Sequence, residues 1–124
     1  MSGRWISILA ASCFVAGCGG TFPVPTQQLA DTESAERSAT ELGAAGQPNA
    51  QLHLQLSHEQ LSQAKINIQD GNNERASSLL FRAKSDAELA IALMREQAAK
   101  TGVQGAVDQS NTQRDTNARQ GGQR

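Results

Sequence analysis

The 124-residue sequence predicts an all-α fold: an antiparallel helical hairpin, a weaker first helix ahead of it, and a disordered C-terminal tail. Three observations predict it. Small and apolar residues recur every seven positions between Leu54 and Met94, the spacing of a helix face rather than a strand. The one stretch with period-two alternation, Leu52-His53-Leu54-Gln55-Leu56, has no partner strand elsewhere and sits among helix formers. Pro23, Pro25 and Pro48, with Gly43, Gly46 and Gly71, fall between the periodic stretches and not inside them.

Residues 18–25 read as a tether, because Pro23 and Pro25 fix φ and disfavour helix in the residues before them. The first helix is expected from Thr26 to about Ala44, with Thr26 as its cap, acids near its positive end and a Glu33–Arg37 pair at i,i+4. Its apolar residues are few, mainly Leu29, Ala35, Ala39 and Leu42. A second helix is expected from about Asn49, its cap, to Asp70. Leu54, Leu61 and Ile68 lie seven apart on it, with Ala64 between them.

Asp70-Gly71-Asn72-Asn73 reads as a tight turn in which Gly71 takes the left-handed conformation. A third helix follows, from about Asn73 to Lys100, with i,i+4 pairs Arg82–Asp86, Lys84–Glu88 and Glu96–Lys100. Ala76, Ala83 and Ala90 form one row on it, and Leu80, Ala87 and Met94 a second. Alanine rows let a neighbouring backbone approach closely, so the leucine stripe of the second helix is expected to fill them. The short turn makes the two helices antiparallel neighbours. A further face with Leu79, Leu89 and Leu93 is expected to need a cover: the first helix, a second copy or a partner. Residues 101–124 are mostly Gln, Asn, Gly, Thr, Arg and Asp; with little to bury they are expected to stay disordered.

Gly71, Ala76, Leu80 and Ala83 fall where a tetratricopeptide hairpin carries glycine, small, bulky and small residues, and Ala64 matches its small first-helix position. The segment resembles that hairpin in geometry. Gln63 and Asn67 stand where the repeat has a leucine and an aromatic residue, and one unit makes no solenoid.

Residues 1–17 carry the clearest address. Arg4 gives a positive start, and Trp5 to Val15 an apolar run shorter than the roughly 20 residues of a membrane-spanning helix. Val15, Ala16 and Gly17 then lead into Cys18. This order resembles the leader and lipobox of bacterial lipoproteins, which implies cleavage before Cys18 and a lipid on its thiol. Gly19, where an aspartate would retain such a protein in the inner membrane, implies the outer membrane facing the periplasm, or the cell membrane in a host with one membrane.

Composition excludes more than it assigns. Without Arg4, eleven basic residues become ten against twelve acids, too balanced for nucleic acid. Phe22 and Phe81 are the aromatic residues after the leader, which makes no base-stacking platform. Cys13 leaves with the leader and Cys18 is consumed by lipid, so the remainder must fold without disulfides. His53 and His58 are five apart, off the i,i+4 spacing of helical metal ligands, and read as solvated surface residues; no metal or cofactor is expected. Ser57, Ser62 and Glu59 near them show no nucleophile elbow or oriented triad. The glycines make no phosphate-cradling loop.

Val15–Cys18, Pro25–Leu42 and Ala64–Ala92, with Ala76, Ala83, Lys84, Asp86, Ala87 and Ala90, together resemble a family of small bacterial envelope lipoproteins whose helical domain has no assigned function. In that family the domain often precedes an OmpA-like peptidoglycan-binding domain. No such pattern follows Lys100 here, so anchoring to the wall by that route is not expected. The resemblance carries no catalytic residues. The expected role is a non-enzymatic outer-membrane lipoprotein that docks on another envelope protein. The alternatives are a self-associating spacer between membrane and wall, built on the two alanine-containing rows, and a ligand binder or enzyme with a pocket between helices.

Overall fold

A computed structural model describes residues 22–122, and the expected leader and lipidation residues Val15, Ala16, Gly17 and Cys18 lie outside them. The described chain is three α-helices, α1 (Thr26–Glu41), α2 (Pro48–Gln69) and α3 (Asn73–Gly121), with a 3₁₀ turn, Ala44–Gly46, between the first two. The expected fold class holds. Leu52–Leu56 lies within α2, so its alternation marks no strand.

The punctuation follows from backbone chemistry. Pro25 precedes α1, and its carbonyl accepts the Leu29 amide at 3.0 Å; Thr26 is the first helical residue and not the cap. Gly43, at φ 81°, ends α1 three residues ahead of the expected boundary. Pro48 opens α2 at a position whose amide would be unpaired in any case. The cap is Gln47, whose side-chain oxygen accepts the Ala50 amide at 2.6 Å, and not Asn49. At the α2–α3 turn Gly71 has φ 76°. The Gly71 amide reaches the Ile68 carbonyl at 3.1 Å and the Asn72 amide reaches Asn67 at 2.8 Å. This pair of bonds is the Schellman arrangement, which satisfies the last carbonyls of α2 and reverses the chain.

α2 and α3 form the antiparallel hairpin, and α1 lies across it. Ala76, Leu80, Ala83, Ala87 and Ala90 are fully buried along α3. Leu61 and Ala64 of α2 pack on Leu79, Leu80 and Ala83, with Leu29 and Ile68 at the edge. A second cluster joins Ala39, Ala44, Ala50 and Ala90, flanked by Leu54, Ile91, Leu93 and Met94. The alanine rows therefore work as expected, but inside one chain. Because both are filled by α1 and α2, they are not free to pair two copies.

The largest departure lies past Lys100. The expected tail is helical: α3 continues without a break to Gly121, 49 residues in all. At about 1.5 Å per residue it is about 74 Å long. From Val103 on its side chains are exposed apart from the half-buried Ser110. Composition misleads here because propagation differs from nucleation. The packed half supplies the costly first turns, and each further residue adds a bond at little cost. No proline lies beyond Pro48 to stop it. A local bond supports the run: Gln104 Nε2 donates to Asp108 Oδ1 at 2.9 Å. The Thr112 and Thr116 hydroxyls turn back to the carbonyls four residues earlier and stay within the helix without strengthening it.

Candidate functional site

Polar side chains fix how the three helices sit on one another. Thr32 of α1 is fully buried, and its hydroxyl lies 2.7 Å from the Gln28 carbonyl and 3.3 Å from that of Leu80, sharing its proton between α1 and α3. Ser57 of α2, also fully buried, donates to Glu36 Oε1 of α1 at 2.8 Å. His58 stands 3.7 Å from the other Glu36 oxygen with an exposed ring. One turn to either side of Ser57 on α2, His53 Nδ1 meets Asp86 Oδ1 at 2.9 Å, and Gln60 Nε2 donates to Asp86 Oδ2 at 2.9 Å. An ionised carboxylate only accepts, so Nδ1 of His53 carries the proton in this bond.

These contacts correct several expectations. His53 is a part-buried link between α2 and α3, not a solvated surface residue. Asp86 turns to His53 and Gln60 instead of Arg82. Glu33 pairs with Lys65 of α2 at 2.8 Å instead of Arg37. The Lys84–Glu88 and Glu96–Lys100 pairs form as expected, and Lys84 also reaches Asp31 of α1 at 3.8 Å. Neither polar cluster is arranged for chemistry. Ser57 Oγ is sealed from solvent, and its proton goes to a carboxylate and not to a histidine. Among the described residues no group of three or more His, Cys, Asp or Glu side chains could hold a metal ion.

The expected apolar face does not survive as a unit. Leu79 is buried against Leu61, Ala64, Leu80 and Ala83, so it belongs to the core. Leu93 is half-buried against the cluster of Ala39, Ala44, Ala50 and Ala90. Leu89 alone stays exposed, at 42%. The physical reason is angular: Leu79 and Leu89 are ten residues apart, which turns them about 80° from one another around a helix. The cover that this face needs comes from α2 on one edge and from the end of α1 with its 3₁₀ turn on the other.

What remains open is the seam between α1 and α3. A groove of about 600 Å³ runs along it between Asp31, Ser34 and Ser38 on α1 and Lys84, Glu88, Ile91 and Arg95 on α3. Arg95 also borders a second groove, about 570 Å³, where α3 leaves the bundle. Leu42, Met94, Gln97, Ala98, Thr101 and Gly102 line this ledge. Leu42 is 44% exposed; Val103 and Val107 are also exposed but lie on the opposite face of the free helix, nine residues beyond Met94 and Ala98 respectively. On the far side of α3 from the ledge, Glu96 and Lys100 pair at 2.6 Å; the hydrogen bond and charge of Lys100 hold the Glu96 carboxyl below its ordinary value. The seam thus grades from charged to apolar over the last turns of the bundle. Sequence reasoning missed it because it is defined by where α1 ends, and the signal for that end was Gly43.

The family model for a domain of unknown function (DUF4398) matches residues 27–106, which takes in α1, α2, the packed half of α3 and the ledge. No curated protein and no solved structure matches the chain significantly.

Proposed function

The chain belongs to the DUF4398 family, and from that premise we propose that it is a non-enzymatic, lipid-anchored protein of the bacterial outer membrane that docks on another envelope protein through the α1–α3 seam and the ledge above it. The observation that carries the reading is the free half of α3. A helix polar on all sides stands alone only when it bridges to something or is held by many local pairs. Here the ledge formed by Leu42, Met94 and Ala98 opens where the free half leaves the bundle, and exposed Gly105, seven residues beyond Ala98, keeps the same face of the helix clear, so the ledge and that face make one surface. An amphipathic helix of a partner laid along that surface would cover both, in the manner of helix-in-groove recognition. The leader and Cys18 supply the address, with two or three acyl chains on one residue holding firmly to a bilayer.

A photo-crosslinking residue at Ala98, introduced in cells, is expected to trap one discrete envelope protein. The same residue at Gln63, exposed on α2 away from the seam, is expected to trap none. Leu42→Glu should abolish the Ala98 adduct while leaving the helical signal unchanged. Adducts that are equal at both positions, or insensitive to Leu42→Glu, would remove the docking reading. Cys18→Ser tests the anchor separately: the precursor should accumulate unprocessed, and any mature chain should leave the membrane fraction.

A second reading, a rigid spacer between membrane and wall, is favoured by the length of α3. Self-association of such a spacer would have to use exposed apolar side chains such as Val103 and Val107, since the rows of Ala76, Ala83 and Ala90 and of Leu80 and Ala87 are buried within the chain.

A further inference from the structure

We propose that the pole of the bundle formed by Phe22, Val24 and the α2–α3 turn rests on the lipid surface, so that α3 projects away from the membrane and carries the ledge and its free half outward. This inference rests on the lipidation of Cys18 proposed above and adds to it a contact surface and a direction.

The connectivity sets the poles. α1 begins and α2 ends at one pole, and α3 starts there. Three bonds show the neighbourhood: Asn73 Nδ2 donates to the Phe22 carbonyl at 2.9 Å, Ser77 Oγ to Gln28 Oε1 at 2.7 Å, and the Asn72 amide to Asn67 at 2.8 Å. Phe22 shares an open groove with Gly71, Asn72, Asn73, Glu74 and Arg75. The 3₁₀ turn, the ledge and the free half of α3 lie toward the other pole.

Chain length sets the distance. Only Gly19, Gly20 and Thr21 stand between Cys18 and Phe22. Four steps at no more than about 3.6 Å each cover about 14 Å. A lipid on Cys18 sits at the bilayer boundary, and the headgroup zone on each side is itself roughly 5–8 Å thick. The folded pole therefore cannot stand clear of the membrane; it meets the headgroups or lies just above them. Phe22 and Val24 face that surface with 48% and 51% of their area open, in a chain with few other large apolar residues near the anchor. Partial insertion of such side chains into the headgroup–acyl boundary is favourable.

The opposite arrangement, with α3 lying flat, lacks an apolar face to hold it. No helix among the described residues is long and apolar enough to cross a membrane, and past Val107 α3 offers Asp108, Asn111, Gln113, Arg114, Asp115 and Arg119 around its circumference. Val107 lies 34 residues beyond Asn73, about 50 Å along the axis.

The sequence provides a clean optical test. Its one tryptophan, Trp5, precedes Cys18 and is lost with the leader. Phe22 and Val107 are equally exposed in the chain, 48% each, so Phe22→Trp and Val107→Trp start from the same condition. Each full-length lipidated variant is placed in vesicles of phosphatidylethanolamine and phosphatidylglycerol with brominated acyl chains. The Phe22→Trp emission should shift to the blue and lose most of its intensity; the Val107→Trp emission should match that in buffer. A dark unsubstituted protein whose mass shows the lipid, combined with an unquenched Phe22→Trp or an equally quenched Val107→Trp, overturns the orientation alone. Trp5 emission from the unsubstituted protein, or a mass without lipid, overturns the anchor and the orientation with it. Vesicles free of other proteins make any quenching a property of the lipid surface itself.

Discussion

The two halves of α3 are one helix held in two different ways. Between Ala76 and Ala90 the helix is fixed from outside: five side chains, Ala76, Leu80, Ala83, Ala87 and Ala90, have no exposure, and Asp86 is bonded to two residues of α2. Beyond Val103 it is held only by its own backbone and by bonds between residues four apart, such as Gln104–Asp108. The difference teaches that secondary structure and stability separate here. The first half defines the fold, and the second borrows its helical form from the first. A borrowed helix is cheap to lose and is therefore suited to being re-ordered by a partner.

Breaking the packed half should cost most. Leu80→Ala removes a fully buried side chain shared by α2 and α3, and by analogy with other core truncations should destabilise by about 2–5 kcal/mol. In a bundle of this size that is most of the stability, so equilibrium urea denaturation should find the variant largely unfolded. Glu36→Ala comes next. It leaves the sealed Ser57 hydroxyl without its acceptor, at about 1–3 kcal/mol, and the loss should show as a lower urea midpoint. Ser57→Ala should cost less than Glu36→Ala, because the Glu36 carboxylate keeps His58 nearby.

Gly71→Ala follows at about 1–2 kcal/mol. The cost comes from backbone strain at φ 76° and not from crowding, since nothing lies within 4 Å of an added Cβ. Gly43→Ala, at φ 81° with equally open space, offers the same measurement at the other chain reversal.

The hairpin was legible because its signals are local or strictly periodic. Seven-residue spacing of Ala76, Ala83 and Ala90 names the buried edge of α3, and Gly71 names the turn. The links across helices were not legible. Ser57–Glu36 and His53–Asp86 join residues 21 and 33 positions apart, and nothing in their sequence neighbourhoods marks the partner. The candidate site was only partly legible for the same reason. Leu79, Leu89 and Leu93 read alike as one apolar face needing a cover, and their division into core and surface depends on where α1 and α2 lie. The tail was misread because composition reports whether a segment can fold alone, and residues 101–121 extend a helix already formed.

Perturbing the free half should leave the bundle untouched. Gly105→Pro should remove up to about a fifth of the far-ultraviolet helical signal, because proline breaks the run at its own position. The urea midpoint of the remainder should stay within about 0.5 kcal/mol of the unsubstituted chain. The smallest effect belongs to Glu96. Lys100 lowers its carboxyl in the folded chain, so the contribution is present above the ordinary carboxylate range and fades as pH falls through the lowered value. A carbon-detected NMR titration of Glu96 should show that lowered midpoint, and Lys100→Ala should return it to the ordinary range.

Residue-resolved amide hydrogen exchange on the isolated lipidated protein tests the contrast most directly. The amides from Ala76 to Ala90 should exchange only on global unfolding, at a common and slow rate that falls in step with the urea stability. The amides from Val103 to Thr116 should exchange far faster, by local fraying, and should slow only when a partner is added. Equal and strong protection along the whole of α3 in the isolated protein would contradict the account, because it would mean the far half is packed against something in its own molecule or in a second copy.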